Sequence, residues 1–329
     1  MKRYWAFVAF IGFSIALSSS VLAQDVRVFE DANDFTGSIE AEAARLTGLL
    51  EAGGFQVLAS REAAVPGECT FGATVLSVFD SEFSNAAFDL NAETAPYAVV
   101  NRVVVFEDEN GGHVAYTNPN SILRTVFVDD SSAEEATDIH RTKLREALGA
   151  TASTGFGQKR GRGHIGKTMG VMAGGPFNDK LGSFKTVENA SWDDVASNVE
   201  TAFNDPSGSW NLEIVYRLDV ADQNLTVFGI SGARMESKSF SIVGAGSSKA
   251  RKGFDCPGIA YAASYPLEVV VRQNASNVDL EMVDAMFRMK MYFEDAGKWA
   301  FMKNMTMPGS LAGEIKDRVG FALSPMALD

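Results

Sequence analysis

The chain has 329 residues, with 29 Lys and Arg against 42 Asp and Glu and a formal charge of −13. A surface this acidic repels nucleic acid and anionic lipid, which excludes an electrostatic binder of either. The length exceeds a usual single core, so two domains are expected.

Lys2 and Arg3 precede an apolar stretch from Tyr4 to Leu17, and Ser18 to Ala23 then offers small residues where signal peptidase reads. This pattern predicts a secretory signal over residues 1–23, cleaved after Ala23, and a periplasmic or secreted protein. The 14 apolar residues fall short of the roughly 20 that a bilayer-spanning helix needs. No later segment is long and apolar enough to span, so no stable membrane insertion is expected once the signal is removed. Cleavage removes two basic and no acidic residues, leaving 27 against 42 and a formal charge of −15.

The fold class expected is α+β, as two tandem copies of a small mixed or antiparallel sheet covered by helices. The first copy spans 24–148. Asp25 to Glu30 alternates as a strand, and Ile39, Ala43, Leu46, Leu49 and Leu50 lie at helical spacing. Thr36 or Ser38 is placed to cap that helix and Gly53-Gly54 to stop it. Phe55 to Ala59 and Thr74 to Phe79 read as strands, and Arg102 to Phe106 with His113 to Thr117 as a hairpin around Glu109 to Gly112. Ala133 to Leu148 reads as a closing helix, acidic at its start and basic at its end, as the helix dipole favours.

From 149 to 181 glycine is frequent and acidic residues are absent until Asp179, which suits a linker. The second domain, 182–329, restarts with a strand at Phe184 to Val187. A helix capped by Ser191 follows, with Val195, Val199, Ala202 and Phe203 on one face. Leu212 to Leu218, Leu225 to Ile230 and Phe240 to Val243 read as strands, and an inserted hairpin is expected within 219–253. Two landmarks suggest the repeat: Cys69 stands 37 residues before Phe106-Glu107-Asp108, and Cys256 stands 37 before Phe293-Glu294-Asp295.

Leu46 to Phe55, Val75 to Val78, and Val103-Val104-Val105-Phe106-Glu107-Asp108 through Tyr116-Thr117-Asn118-Pro119 resemble the domain-of-unknown-function 302 family. The resemblance covers most of residues 25–127, and in the second copy only Phe184 to Phe203 and Leu267 to Leu311. It implies a small α+β fold with a sheet covered by helices, and it implies no activity. No catalytic residue is carried over.

Four groups of residues are candidates for chemistry. Cys69 and Cys256, the only cysteines, form a candidate interdomain disulfide in an oxidising compartment; the alternative is two separate buried thiols. Read as equivalent positions of two copies, they would meet only near the pseudo-symmetry axis. Met289, Met291, Met305 and Met307 alternate along apparent strands and present soft thioethers suited to Cu(I), or fill an ordinary core. Gly161 to Thr168 matches the phosphate-loop pattern G-x-x-x-x-G-K-T, but polar, glycine-rich flanks replace the strand and helix that loop requires. Lys159, Arg160, Arg162 and Lys167 are left as a candidate anion-binding cluster. The pairs Glu107-Asp108 and Glu294-Asp295 sit at apparent hairpin turns, where acidic residues are usual. No cofactor is expected, and the partner is a small molecule or a protein. Binding or scaffolding is the function expected, with Met-based Cu(I) handling or an enzyme with an interdomain cleft as alternatives.

Overall fold

A computed structural model describes residues 26–324 apart from 129, 153, 161–174, 205, 207, 247–252 and 294–297. The signal expected over 1–23 lies outside the described residues. The fold is α+β, with two antiparallel sheets packed with helices. The first half runs β1 (Val26–Phe35), α1 (Ile39–Ala52), β2 (Gln56–Glu62), β3 (Ala73–Phe79), α2 (Ser81–Leu90), β4 (Val100–Asp108), β5 (Gly111–Thr117), α3 (Pro119–Val126) and α4 (Glu134–Leu148). These strands, with β6 (Gly155–Arg160), form a six-stranded sheet in the order β2-β3-β4-β5-β1-β6. The glycine-rich segment therefore begins as an edge strand of this sheet rather than as a linker.

The second half runs β7 (Leu181–Val187), α5 (Trp192–Ala202), β8 (Leu212–Val220), β9 (Leu225–Gly232), α6 (Ala233–Gly246), β10 (Leu267–Asn274) and β11 (Asn277–Val283). Helices α7 (Ala285–Phe293), α8 (Lys298–Lys303) and α9 (Met307–Ala322) complete it. Its sheet order is β7-β11-β10-β9-β8. Read from β8 to β7, this follows the same chain connections as β2-β3-β4-β5-β1.

Local signals explain much of this. Ser38 caps α1, its hydroxyl accepting from the Ala41 amide at 3.2 Å, and Gly54 at φ 84° turns the chain out of it. Helix α1 buries Ile39, Ala43, Leu46 and Leu50 on the first sheet. Strand β4 is buried on both faces, and its residues alternate between two cores. Val103 and Val105 face α1 and α4, while Val104 and Phe106 face the second half. Each such side chain contributes about 1.5–3 kcal/mol by leaving water.

Three expectations about the second half are corrected. Phe240 to Val243 is helical, within α6. Met235, Phe240 and Val243 are buried there, a spacing that a short window around two apolar residues does not separate from a strand. The described part of the region expected to hold an inserted hairpin, up to 246, is the end of β8, a turn, β9 and α6, and 247–252 lie outside the described residues. Met289 to Phe293 belongs to α7, whose Phe287, Arg288, Met291 and Tyr292 share the buried face.

Cys69 and Cys256 are joined by a disulfide, with Cα atoms 5.7 Å apart across 187 residues. They are not equivalent positions. Cys69 lies between β2 and β3, and Cys256 between α6 and β10. The bond therefore needs no symmetry axis. It fixes the chain just before the 3₁₀ turn Ile259–Ser264, and that turn packs on β3, β4 and β5 of the first half. In the chain-entropy treatment a loop this long stabilises the fold by up to about 5 kcal/mol. The Cys69→Ser/Cys256→Ser variant is expected to lose stability up to that figure in urea unfolding. Denatured, unreduced native protein should titrate with no free thiol.

Candidate binding site

The inner face of β4 brings one charged residue into the core. Alternation puts Arg102 on the same side as Val104 and Phe106, and its side chain is 1% exposed. Its Nε donates to the Ala263 carbonyl at 2.8 Å, and its two terminal nitrogens donate to a Glu268 oxygen and to the Tyr292 hydroxyl. All three partners come from the second half.

Glu268 is shared by two guanidiniums. Arg288 of α7 donates from Nε to Glu268 Oε2 at 2.9 Å, and from Nη2 to the Ser264 and Pro266 carbonyls at 2.8 and 3.0 Å. Its guanidinium also lies over the Tyr292 ring at 4.1 Å. Burial pushes the Glu268 carboxyl up, but the charges of Arg288 and Arg102 outweigh burial and hold it below its ordinary range. Burial pulls Arg102 down, yet Tyr292 and Glu268 reverse this and raise it, so it stays charged. Tyr216 belongs to the same neighbourhood; burial, and then the Glu268 charge, push its hydroxyl above the usual range.

The sheet register places these groups. Gly229 on β9 pairs with Tyr216 on β8 and with Glu268 on β10, so the three form one cross-strand row. Any Cβ at 229 would strike the Tyr216 ring, which is why the middle of the row is glycine.

Glu268 and Arg288 also line a cavity of about 70 Å³. Helices α6, α7 and α9 enclose it over the β10–β11 end of the second sheet. Its wall is mainly apolar and includes Leu267, Val283, Phe293 and Leu311. Ser239 and Tyr265, whose hydroxyls are 2.6 Å apart, add a polar edge.

The methionines expected to act together are divided. Met289 and Met307 line this cavity, with Met282, while Met291 and Met305 do not. Met291 is buried in α7, and Met305 stands in the turn before α9. None of the four is on a strand. Lys159 and Arg160 fall in β6 opposite Arg27 and Val26, while Arg162, Lys167 and the phosphate-loop pattern through Thr168 lie outside the described residues. Among the described residues, no group of three His, Cys, Asp or Glu side chains is arranged to hold a metal ion. No described helix is long and apolar enough to cross a membrane.

A second polar cluster lies in the first half. Buried His140 of α4 places Nδ1 3.0 Å from Asp80 Oδ2 and Nε2 2.7 Å from Asn101 Oδ1, and stacks on Phe83 at 4.1 Å. Asp80 caps α2 through the Glu82 amide and accepts from Lys143 at 2.8 Å. Lys143, one of the basic residues near the end of α4, is thus an ion-pair partner of Asp80. Burial pushes the Asp80 carboxyl up, but His140 and Lys143 outweigh burial and bring it from 3.8 down to about 2. Burial lowers the His140 ring, with Asp80 acting against it. Asp108, at the β4–β5 turn, is buried and accepts from the Asn110 amide at 2.8 Å. Asp80 is thus held by the start of α2 and by α4, and Asp108 by its own turn and by His113 Nε2 at 3.1 Å.

Sequence reading missed Arg102, Glu268 and Arg288. A signal was present: each is a charged residue within an apolar run, at Val-Asn-Arg-Val-Val-Val, Pro-Leu-Glu-Val-Val-Val and Met-Phe-Arg-Met. Charges in such runs are paired or they neutralise.

A solved structure described as uncharacterized conserved protein DUF302 from Bacillus stearothermophilus is similar to part of this chain. The identity is 15%, the match covers 38% of this chain and 98% of that one, and the TM-score is 0.33. No family model matches the chain, and no curated protein matches it.

Two expectations follow from the clusters. Glu268→Gln leaves two buried guanidiniums without their counter-ion and should cost about 3–5 kcal/mol in urea unfolding. The double variant Arg102→Met/Glu268→Gln should recover part of that loss in a double-mutant cycle. Because the folded-state Asp80 carboxyl titrates lower than the unfolded one, its stabilisation is complete above pH about 4. It is lost as pH falls towards about 2. Asp80→Asn should flatten this part of the stability profile, measured by melting temperature against pH.

Proposed function

We propose that this protein is an exported binding protein, built of two tandem copies packed as an internal pseudo-dimer. Its ligand site is the cavity enclosed by α6, α7 and α9. The observation that carries this reading is the cavity itself, an apolar chamber of about 70 Å³ with an ionic floor. An apolar wall with a few convergent polar groups is the usual lining of small-molecule sites, and this volume suits a ligand of only a few heavy atoms. The shared connection order of the two sheets supports the duplication, with β10 corresponding to β4. The disulfide supports an oxidising compartment, in keeping with the charged and apolar start of the sequence.

Handling of Cu(I) is a second reading, favoured by Met282 of β11, Met289 of α7 and Met307 of α9, all of which line the cavity. Thermal melts of the disulfide-intact full chain with 1-butanol, a neutral probe of a few carbons, test the first. A saturable rise in melting temperature is expected, about 1.4 kcal/mol of stabilisation at ten times Kd. Ala312→Leu, which fills the cavity, should abolish it. No saturable rise with 1-butanol, nor with the acid or amide of the same length, would defeat the cavity as a binding site. Stoichiometric Cu(I) that competes with 1-butanol, and is lost in Met289→Leu/Met307→Leu, would assign it to copper instead.

A further inference from the structure

The ionic floor of the cavity carries more positive charge than it neutralises. Two guanidiniums, Arg102 and Arg288, meet one carboxylate, Glu268, and all three side chains are at most 7% exposed. Arginine keeps its charge throughout the physiological range. Glu268 is held ionised by the same two neighbours, so the cluster has an excess of one positive charge. An unneutralised charge away from water is costly, and an anion entering beside it lowers that cost.

Only one of the two arginines reaches the chamber. Arg102 is turned away, its donors taken by Ala263, Glu268 and Tyr292. Arg288 lines the cavity, with Nε and Nη2 engaged by Glu268 and by two carbonyls. Among the described residues its Nη1 has no hydrogen-bond acceptor. The cavity thus combines a cationic donor with a wall of Leu, Met, Val and Phe side chains.

We infer that the cavity selects a small monocarboxylate, with the carboxylate on Arg288 and a short hydrocarbon part against Met289, Met307 and Leu311. This rests on the cavity being a binding site. The chemistry excludes neighbouring classes. A dianion would leave its second charge against apolar wall, and a neutral hydrocarbon would leave the excess charge uncompensated. Size limits the tail. A chamber of about 70 Å³ is roughly half the ~150 Å³ cavity that admits benzene, so acids of a few carbons fit best.

Titration calorimetry on the disulfide-intact full chain, with butyrate and its isosteric neutral partner butyramide, tests the inference. Butyrate should bind one to one and at least tenfold more tightly than butyramide. In Arg288→Gln, which retains the Arg102–Glu268 pair, that preference should disappear. Should Arg288→Gln fail to fold, Ala312→Leu leaves the ionic floor intact and should remove butyrate binding by filling the space. Equal affinity for butyrate and butyramide, or butyrate binding that survives Ala312→Leu, overturns the inference. A 1-butanol response without any preference for the acid leaves the binding site standing and defeats only the assignment of charge. Silence from 1-butanol, acid and amide together defeats both.

Discussion

A charged side chain on an inner sheet face is the constraint on which the two-part structure depends. Strand alternation leaves Arg102 no route to water, since its neighbours on the same face pack into the core that both halves share. The second half must therefore supply acceptors at fixed positions. It does so from three elements, with the end of a 3₁₀ turn, a strand and a helix giving Ala263, Glu268 and Tyr292. A buried ion pair is a weak source of net stability but a demanding source of geometry. Here the geometry fixes how the halves meet.

The disulfide and the shared core act on the same joint. Cys256 lies close before the turn that packs on the first sheet, so the bond holds covalently what the apolar contacts and Arg102 hold non-covalently. Also between the halves, Arg61 of β2 reaches Glu236 of α6, a glutamate that is 1% exposed and also accepts from the Ala64 amide at 2.8 Å. The joint is thus apolar over much of its extent and crossed by charge pairs, Arg102 with Glu268 and Arg61 with Glu236. Such a joint favours one arrangement of the halves, because sliding it would separate charges that water does not reach.

Although the two sheets follow one connection order, they close differently. The first is covered by α1 and α4, and His140, Asp80 and Lys143 satisfy one another along the wall of an open groove of about 500 Å³ between α2 and α4. The second is closed by α6, α7 and α9, which do not fill their space completely. The remaining volume lies against the ionic cluster because Arg288 comes from α7 and Glu268 from the strand beneath it. Position in the fold, more than any motif, makes that volume a candidate for chemistry.

The first half was largely legible in the amino-acid sequence. Regular spacing and turn residues placed α1, β3, the β4–β5 hairpin and α4, because these signals act over a few residues and need no distant partner. The α+β class and the Cys69–Cys256 pair were legible too, the latter because the sequence holds two cysteines, each with one possible partner within the chain. The second half was harder to read. Met289 and Met291 alternate like a strand, and Phe240 to Val243 is too short a run to separate the two periods, so α6 and α7 were mistaken. The matching 37-residue spacings from the cysteines then aligned a strand with a helix. Only the tertiary structure decided which charges enter the core and what faces them. Arg102, Glu268 and Arg288 lie far apart in the chain, and their meeting depends on sheet register and on how the halves pack. Long-range packing of this kind carries no local signature, since each charge is stabilised only by partners that the chain brings up from elsewhere.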